Sequence, residues 1–85
     1  MELEFITLEN GQDYFVATKT NVKNTIYYML VNENVLSDIV IRKEVGDELV
    51  GLDDMNEFRL AIAKLYQENE GNPEIENYLR KFNKK

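Results

Sequence analysis

The side chains able to do chemistry in this sequence are carboxylates and phenols. Glu44, Asp47 and Glu48 gather around Gly46, and Asp53, Asp54 and Glu57 open a later segment. Paired carboxylates perform acid–base work or hold a hard cation when a cleft brings them together. The spacing here is that of a turn and of a helix start, and a helix N-terminus favours negative charge electrostatically. Both groups therefore read as turn and cap, and no catalytic or metal-ligating residue is assigned. The chain has no histidine and no cysteine. That removes Ser–His–Asp and Cys–His arrangements, zinc sites of the usual N/S kind, and disulfides. The glycines at 11, 46, 51 and 71 are isolated, so no phosphate loop exists. No cofactor and no small-molecule ligand is implied.

The tyrosines are Tyr14, Tyr27, Tyr28, Tyr66 and Tyr78, two of them adjacent in IYYMLVN, Ile26 to Asn32. Aromatic residues on a sheet can stack bases, but such platforms carry cations beside them. The nearest cation to this stretch is Lys23. Two readings compete: core packing, with Tyr28 inside and Tyr27 partly covered, or a protein interface over Tyr27, Met29 and Val31.

Charge narrows the partners. The 85 residues hold 16 acidic and 10 basic side chains, a net charge of −6. The acids concentrate in Met1–Glu57, with 12 against 4 bases, while Phe58–Lys85 holds 4 acids and 6 bases. A surface this acidic repels a phosphate backbone, so direct nucleic-acid binding is not expected. The basic RKFNKK segment, Arg80–Lys85, reads as a solvated helix end. No apolar run approaches the roughly 20 residues that span a bilayer, and the acidic start MELEFITLEN is unlike a signal peptide. A soluble, cytoplasmic protein with no membrane contact is expected.

The elements that position these groups follow from periodicity. LEFITL alternates and runs into Asn10-Gly11, the pair best suited to a two-residue type I′ turn. A return strand spans Asp13–Val22, with Tyr14, Val16, Thr18 and Thr20 on one parity. Lys23-Asn24 is a weaker turn, and a third strand covers Thr25–Val31. Ser37–Val45 alternates an apolar face with a mostly charged one, as in a sheet solvated on one side. Glu48–Leu52 is a short fifth strand or an edge. The period then changes: Met55, Phe58, Ile62 and Leu65 recur at three and four residues, a helix over Asp54–Glu68. Asp54 with Glu57 forms a capping-box pattern. Asn72-Pro73 starts a second helix to Asn83, with Ile75, Tyr78 or Leu79, and Phe82 on its apolar side.

The expected fold class is α+β: an antiparallel sheet of four to five strands, one main helix packed on a face, and a short C-terminal helix. One domain covers 1–85, with a core from 3 to 69 and the short helix over 72–84. In the third strand, Ile26, Tyr28 and Leu30 are expected to face the main helix. Tyr27, Met29 and Val31 then need another cover, either the C-terminal helix or a second protein. Leu60 falls off the helical stripe. Tyr27, Met29, Val31, Leu60, Ile75, Tyr78 and Phe82 are therefore the candidate interface.

Three stretches carry a family likeness: ITLENGQDYF near the start, IYYMLV in the middle, and DELVGLDDMNEFRLAIAKLY leading into the helix. Across Leu3–Asn69 the layout resembles the small, acidic bacterial proteins of the domain of unknown function 1292 family. The resemblance matches Glu57 to a Glu near the family's helix start and carries no catalytic residue to this chain. It implies a small cytoplasmic protein. With the absent catalytic residues, this gives a non-enzymatic protein that binds a protein partner or forms a homodimer. The alternatives are an acidic mimic occupying a nucleic-acid-binding protein, or a carboxylate- and metal-dependent enzyme.

Overall fold

The computed structural model describes residues 4–83. Five strands run β1 (Phe5–Thr7), β2 (Asp13–Val22), β3 (Thr25–Asn32), β4 (Ile39–Val45) and β5 (Glu48–Val50). Helices α1 (Met55–Glu68) and α2 (Pro73–Arg80) follow, and a 3₁₀ turn covers Lys81–Asn83. The sheet is an antiparallel meander in sequence order, β1-β2-β3-β4-β5, so β1 and β5 are its edges. This is the expected α+β class. The edge strands are shorter than alternation predicts; Leu3 and the last two lysines lie outside the described residues.

The two hairpin turns exchange roles relative to the sequence reading. At Asn10-Gly11 only the glycine has a positive φ, 79°. Gly11 N–H donates to the Leu8 carbonyl at 2.9 Å, and Leu8 N–H donates to the Gln12 carbonyl at 3.1 Å. That is a three-residue loop closed by a left-handed glycine, not a two-residue type I′ turn. At Lys23-Asn24 both residues are left-handed, with φ of 52° and 71°, as a type I′ turn requires. The Asn21 side chain supports it by accepting the Asn24 N–H at 3.0 Å.

A β-bulge decides what faces what. Val16 pairs with Leu30 and Thr18 with Met29, which leaves Ala17 as an extra residue in β2. One extra residue moves every later side chain to the opposite face. Tyr14 and Val16 therefore share a face with Leu30. Thr18 and Thr20 do not continue that face, as simple parity had it; they turn with Phe15 toward the helices.

The helices cover the face opposite to the one expected. Tyr27, Met29 and Val31 of β3 pack with Ile39 and Ile41, with Ala61, Ile62 and Leu65 of α1, and with Ile75 and Leu79 of α2. Ile26, Tyr28 and Leu30 lie on the other side, in a second cluster with Leu8 and Tyr14. Parity separates the two faces of β3 correctly but does not say which face is larger. β4 does: Ile39 and Ile41 oppose Val31 and Met29, building the wider apolar surface that two helices require.

Local signals fix the helix ends. Asp54 Oδ1 accepts the Asn56 N–H at 2.8 Å, capping α1. The capping box is not completed, because Glu57 turns to the sheet instead of back to the cap. Met55, assigned to the apolar stripe, is 63% exposed, and the buried stripe is Ala61, Ile62 and Leu65. Asn72 caps α2 by accepting the Ile75 N–H at 3.3 Å, with Pro73 where no N–H is needed. At the far end of α1, Thr20 donates to Glu68 at 2.5 Å and Thr18 to Asn69 at 3.3 Å.

Candidate functional site

The side of the sheet without helices is not flat. Its cluster of Leu8, Tyr14, Tyr28 and Leu30, with Ile6, Val16, Ile26, Val40 and Leu49 packed on it, draws only on strands and the β1–β2 loop. Tyr28 and Leu30 are nonetheless 9% and 0% exposed. The sheet curls enough to shield them, and the bulge at Ala17 adds local twist.

The curl leaves a cleft of about 410 Å³ lined by Glu4 and Ile6 from the β1 side, Tyr28 from the centre, and Glu44, Gly46, Asp47, Glu48 and Leu49 from the β4–β5 hairpin. Its walls thus come from the two edges of the sheet. Ile6, Tyr28 and Leu49 provide apolar surface, and four carboxylates surround it, with no lysine or arginine among the described residues of the lining. Gly46 sits at φ 62° in the two-residue hairpin turn with Asp47, the conformation glycine enters without steric cost.

Tyr28 organises the floor. Its hydroxyl donates to Glu44 Oε1 at 2.7 Å. The Glu44 acceptor, burial, and the negative charges of Glu44 and Glu4 push the phenol up to about 12. The phenol therefore keeps its proton at neutral pH and acts as a donor, not a base. Lys19, one strand over, sits 5.6 Å from the Tyr28 ring centroid in a cation–π contact. Arg42, opposite Tyr28 in the register, pairs with Glu9 at 2.9 Å. The ring face already receives one cation, and the surrounding carboxylates offer acceptors to more.

A second polar group lies at the end of the sheet where β3 leaves. Asn32, fully buried, donates to Gln12 and, at 3.1 Å, to Asp38. Its oxygen accepts the N–H groups of Asn34 and Val35 at 2.8 and 3.1 Å. Tyr14 donates to Asp38 at 2.6 Å and accepts from Asn10 at 3.1 Å. The hydrogen bond from Tyr14, then that from Asn32, holds the Asp38 carboxyl below its ordinary value. This network fixes the 33–38 connection and presents Val35 and Leu36 outward, 49% and 57% exposed.

The seven candidate interface residues separate. Tyr27, Met29, Val31 and Ile75 are buried beneath or within the helical layer. Tyr27 donates to Glu57 at 2.6 Å, and Lys43 pairs with the same carboxylate at 3.0 Å. Burial and that carboxylate push the Tyr27 phenol up to about 12. Tyr78 and Phe82 are half-buried against the same cluster, and Phe82 meets Phe58 edge-on at 5.6 Å. Leu60 alone of the seven stands out in solvent, 56% exposed. The cover over Tyr27, Met29 and Val31 is thus the chain's own helices, and this face is no free surface.

Of the cleft, sequence spacing finds Glu44, Asp47 and Glu48 as a turn group. It misses their meeting with Glu4, Ile6 and Tyr28. The shared parity of Glu4 and Ile6 is a faint signal; the curl that brings the two edges together leaves none. Among the described residues no cluster of acids has metal-ligand geometry, and no helix is long and apolar enough to cross a membrane. No family model matches the chain, and no curated protein or solved structure matches it.

Proposed function

We propose that this protein is a small binding module, acting without catalysis, whose cleft receives an extended, basic segment of a partner protein. The observation that carries the reading is the cleft's construction from both edges of one sheet, with Ile6, Tyr28 and Leu49 set among four carboxylates. Unpaired strand edges are templates for another strand, and strand addition gives affinity through the main chain and specificity through alternate side chains. Glu4, Glu44, Asp47 and Glu48 set the sequence preference: a strand with lysine or arginine on one parity supplies the cations that the lining lacks. A phenol held protonated and already donating to Glu44 supports recognition over acid–base chemistry. A nucleic-acid-binding protein has the required basicity, so occupation of such a partner is a special case of this reading. A cytoplasmic location is part of this proposal, resting on the acidic composition and the lack of cysteine.

The test is titration with a synthetic peptide alternating lysine with threonine, followed by amide shifts and calorimetry at two salt concentrations. Expected are shifts confined to Glu4–Ile6 and Glu44–Leu49, weaker binding at higher salt, and loss of binding in a Glu44→Gln/Glu48→Gln double variant. Shifts centred on α1 or α2, or none at all, overturn the reading.

A further inference from the structure

The β1–β2 loop holds the one Asn-Gly pair of the sequence. We propose that Asn10 is a site of spontaneous covalent modification, gated by opening of this hairpin. In an Asn-Gly sequence the glycine amide nitrogen attacks the asparagine Cγ. The new N–Cγ bond closes a succinimide, the Cγ–Nδ2 bond breaks, and Nδ2 leaves as ammonia carrying the proton from the glycine amide. Water then opens the ring at either carbonyl, giving aspartate or isoaspartate. Water is the only co-reactant.

All three participating groups are engaged in the closed hairpin. The attacking nitrogen, Gly11 N–H, donates to the Leu8 carbonyl at 2.9 Å. The Asn10 oxygen accepts the Gln12 N–H at 3.0 Å. The leaving nitrogen, Nδ2, donates to the Tyr14 hydroxyl at 3.1 Å. Attack needs the Gly11 amide freed and the Asn10 side chain swung toward it, so the reaction draws on the open population alone. β1 is a three-residue edge strand, the class of element that opens locally at low free energy. The other asparagines in the described residues precede larger residues, which hinder the same ring closure.

The product feeds back on the gate. Tyr14 has one hydroxyl proton and gives it to Asp38 at 2.6 Å. Asparagine at position 10 complements this by donating to the same oxygen; a carboxylate there has no proton to donate and adds a second negative charge beside Asp38. Isoaspartate also inserts a backbone carbon into the loop that Leu8 and Gln12 close. Either product loosens β1, which supplies Glu4 and Ile6 to the cleft. The consequence for binding rests on the function proposed above; the chemistry does not.

The experiment follows the mass gain of amide-to-acid conversion in the full chain near neutral pH, with and without urea, and assigns the site by peptide mapping. Conversion at residue 10 is expected to be at least about tenfold slower folded than unfolded. Equal rates, or first conversion at another asparagine, overturn the gating. The feedback is read on an Asn10→Asp variant, where amide exchange at Leu8 and Gly11 is expected to accelerate. Unchanged exchange at both overturns it. Neither readout involves a ligand, so both stand apart from the peptide titration.

Discussion

The two faces of β3 bury side chains equally well by different means. Met29 and Leu30 are neighbours in the chain and both are fully buried. Met29 lies beneath two helices, in a cluster that joins three strands to α1 and α2. Leu30 lies in a cluster drawn from strands and one loop, shielded by curvature. The helical layer is sealed by apolar contact and by the Tyr27–Glu57–Lys43 group. The strand-only face is smaller and more polar, and it carries the cleft. Covering one face with helices leaves the cleft on the other open, and the proposed binding function rests on that division.

The most direct way to break the comparison is to delete Ala17. The deletion removes the extra residue and leaves Val16 opposite Leu30 and Thr18 opposite Met29 as consecutive pairs. Thr18 and Thr20 then keep Asn69 and Glu68, and Lys19 stays beside the Tyr28 ring, so each face keeps its residues. What is lost is the local twist that a bulge adds and the Ala17 packing on the helical cluster. A cooperative transition by circular dichroism is expected, with a stability loss of up to about 3 kcal/mol. A variant without a cooperative transition would mean that the twist at the bulge, and not the residue count alone, holds the two faces apart.

The next test compares adjacent truncations. Met29→Ala and Leu30→Ala each fall in the range of about 2–5 kcal/mol for emptied core sites. Met29→Ala is expected to cost more, because its cavity lies between rigid layers. The cavity at Leu30 can be reduced by further curling of the edges. Denaturant midpoints at constant slope measure the difference. An equal or larger loss at Leu30 would show that the strand-only face holds the molecule as firmly as the helical one.

How far these faces were legible follows from the same residues. Alternation in IYYMLVN and SDIVIRKEV marks two faces in each strand, and the change of period after Leu52 marks the helices. Those signals are local and survive folding, which is why β2, β3 and both helix starts match the sequence reading closely. The choice of face depends on Ile39 and Ile41 facing Val31 and Met29 across a register, and on Ala17 standing unpaired. Neither fact resides in a single segment. The cleft lay further from reach, since Glu4 and Glu48 are 44 positions apart and meet only through the curl.

Acid separates the two faces more gently. Glu57 lies below its ordinary 4.5 through the hydrogen bond from Tyr27, then through Lys43. Asp38 lies below its ordinary 3.8 through Tyr14, then Asn32. Both folded-state values are depressed, so the unfolded chain takes up these protons first as pH falls. Their stabilisation is fully present above the ordinary values and is lost as pH drops through the folded ones. The denaturation midpoint is therefore expected to hold down to about pH 5 and to fall below it. Glu57→Gln removes the contribution of the helical face from that fall, and Asp38→Asn that of the strand-only face. If neither variant flattens the profile, these two carboxylates do not couple the faces to pH.

The smallest expected effect is at Leu60, the candidate interface residue that stands in solvent on α1. Its side chain is 56% exposed and belongs to neither cluster. Leu60→Lys should change stability by no more than about 0.5 kcal/mol, as surface substitutions away from caps and cores do. It should also leave binding of the lysine–threonine peptide unaltered, because the cleft is on the other side of the sheet. The two measurements bear on different points. A stability loss above that range would mean that α1 packs more closely around residue 60 than its exposure implies. Loss of peptide binding with stability intact would place the contact surface on the helical side. It would leave Glu4, Glu44, Asp47 and Glu48 as turn and edge charges that keep two strand ends from pairing with a neighbour.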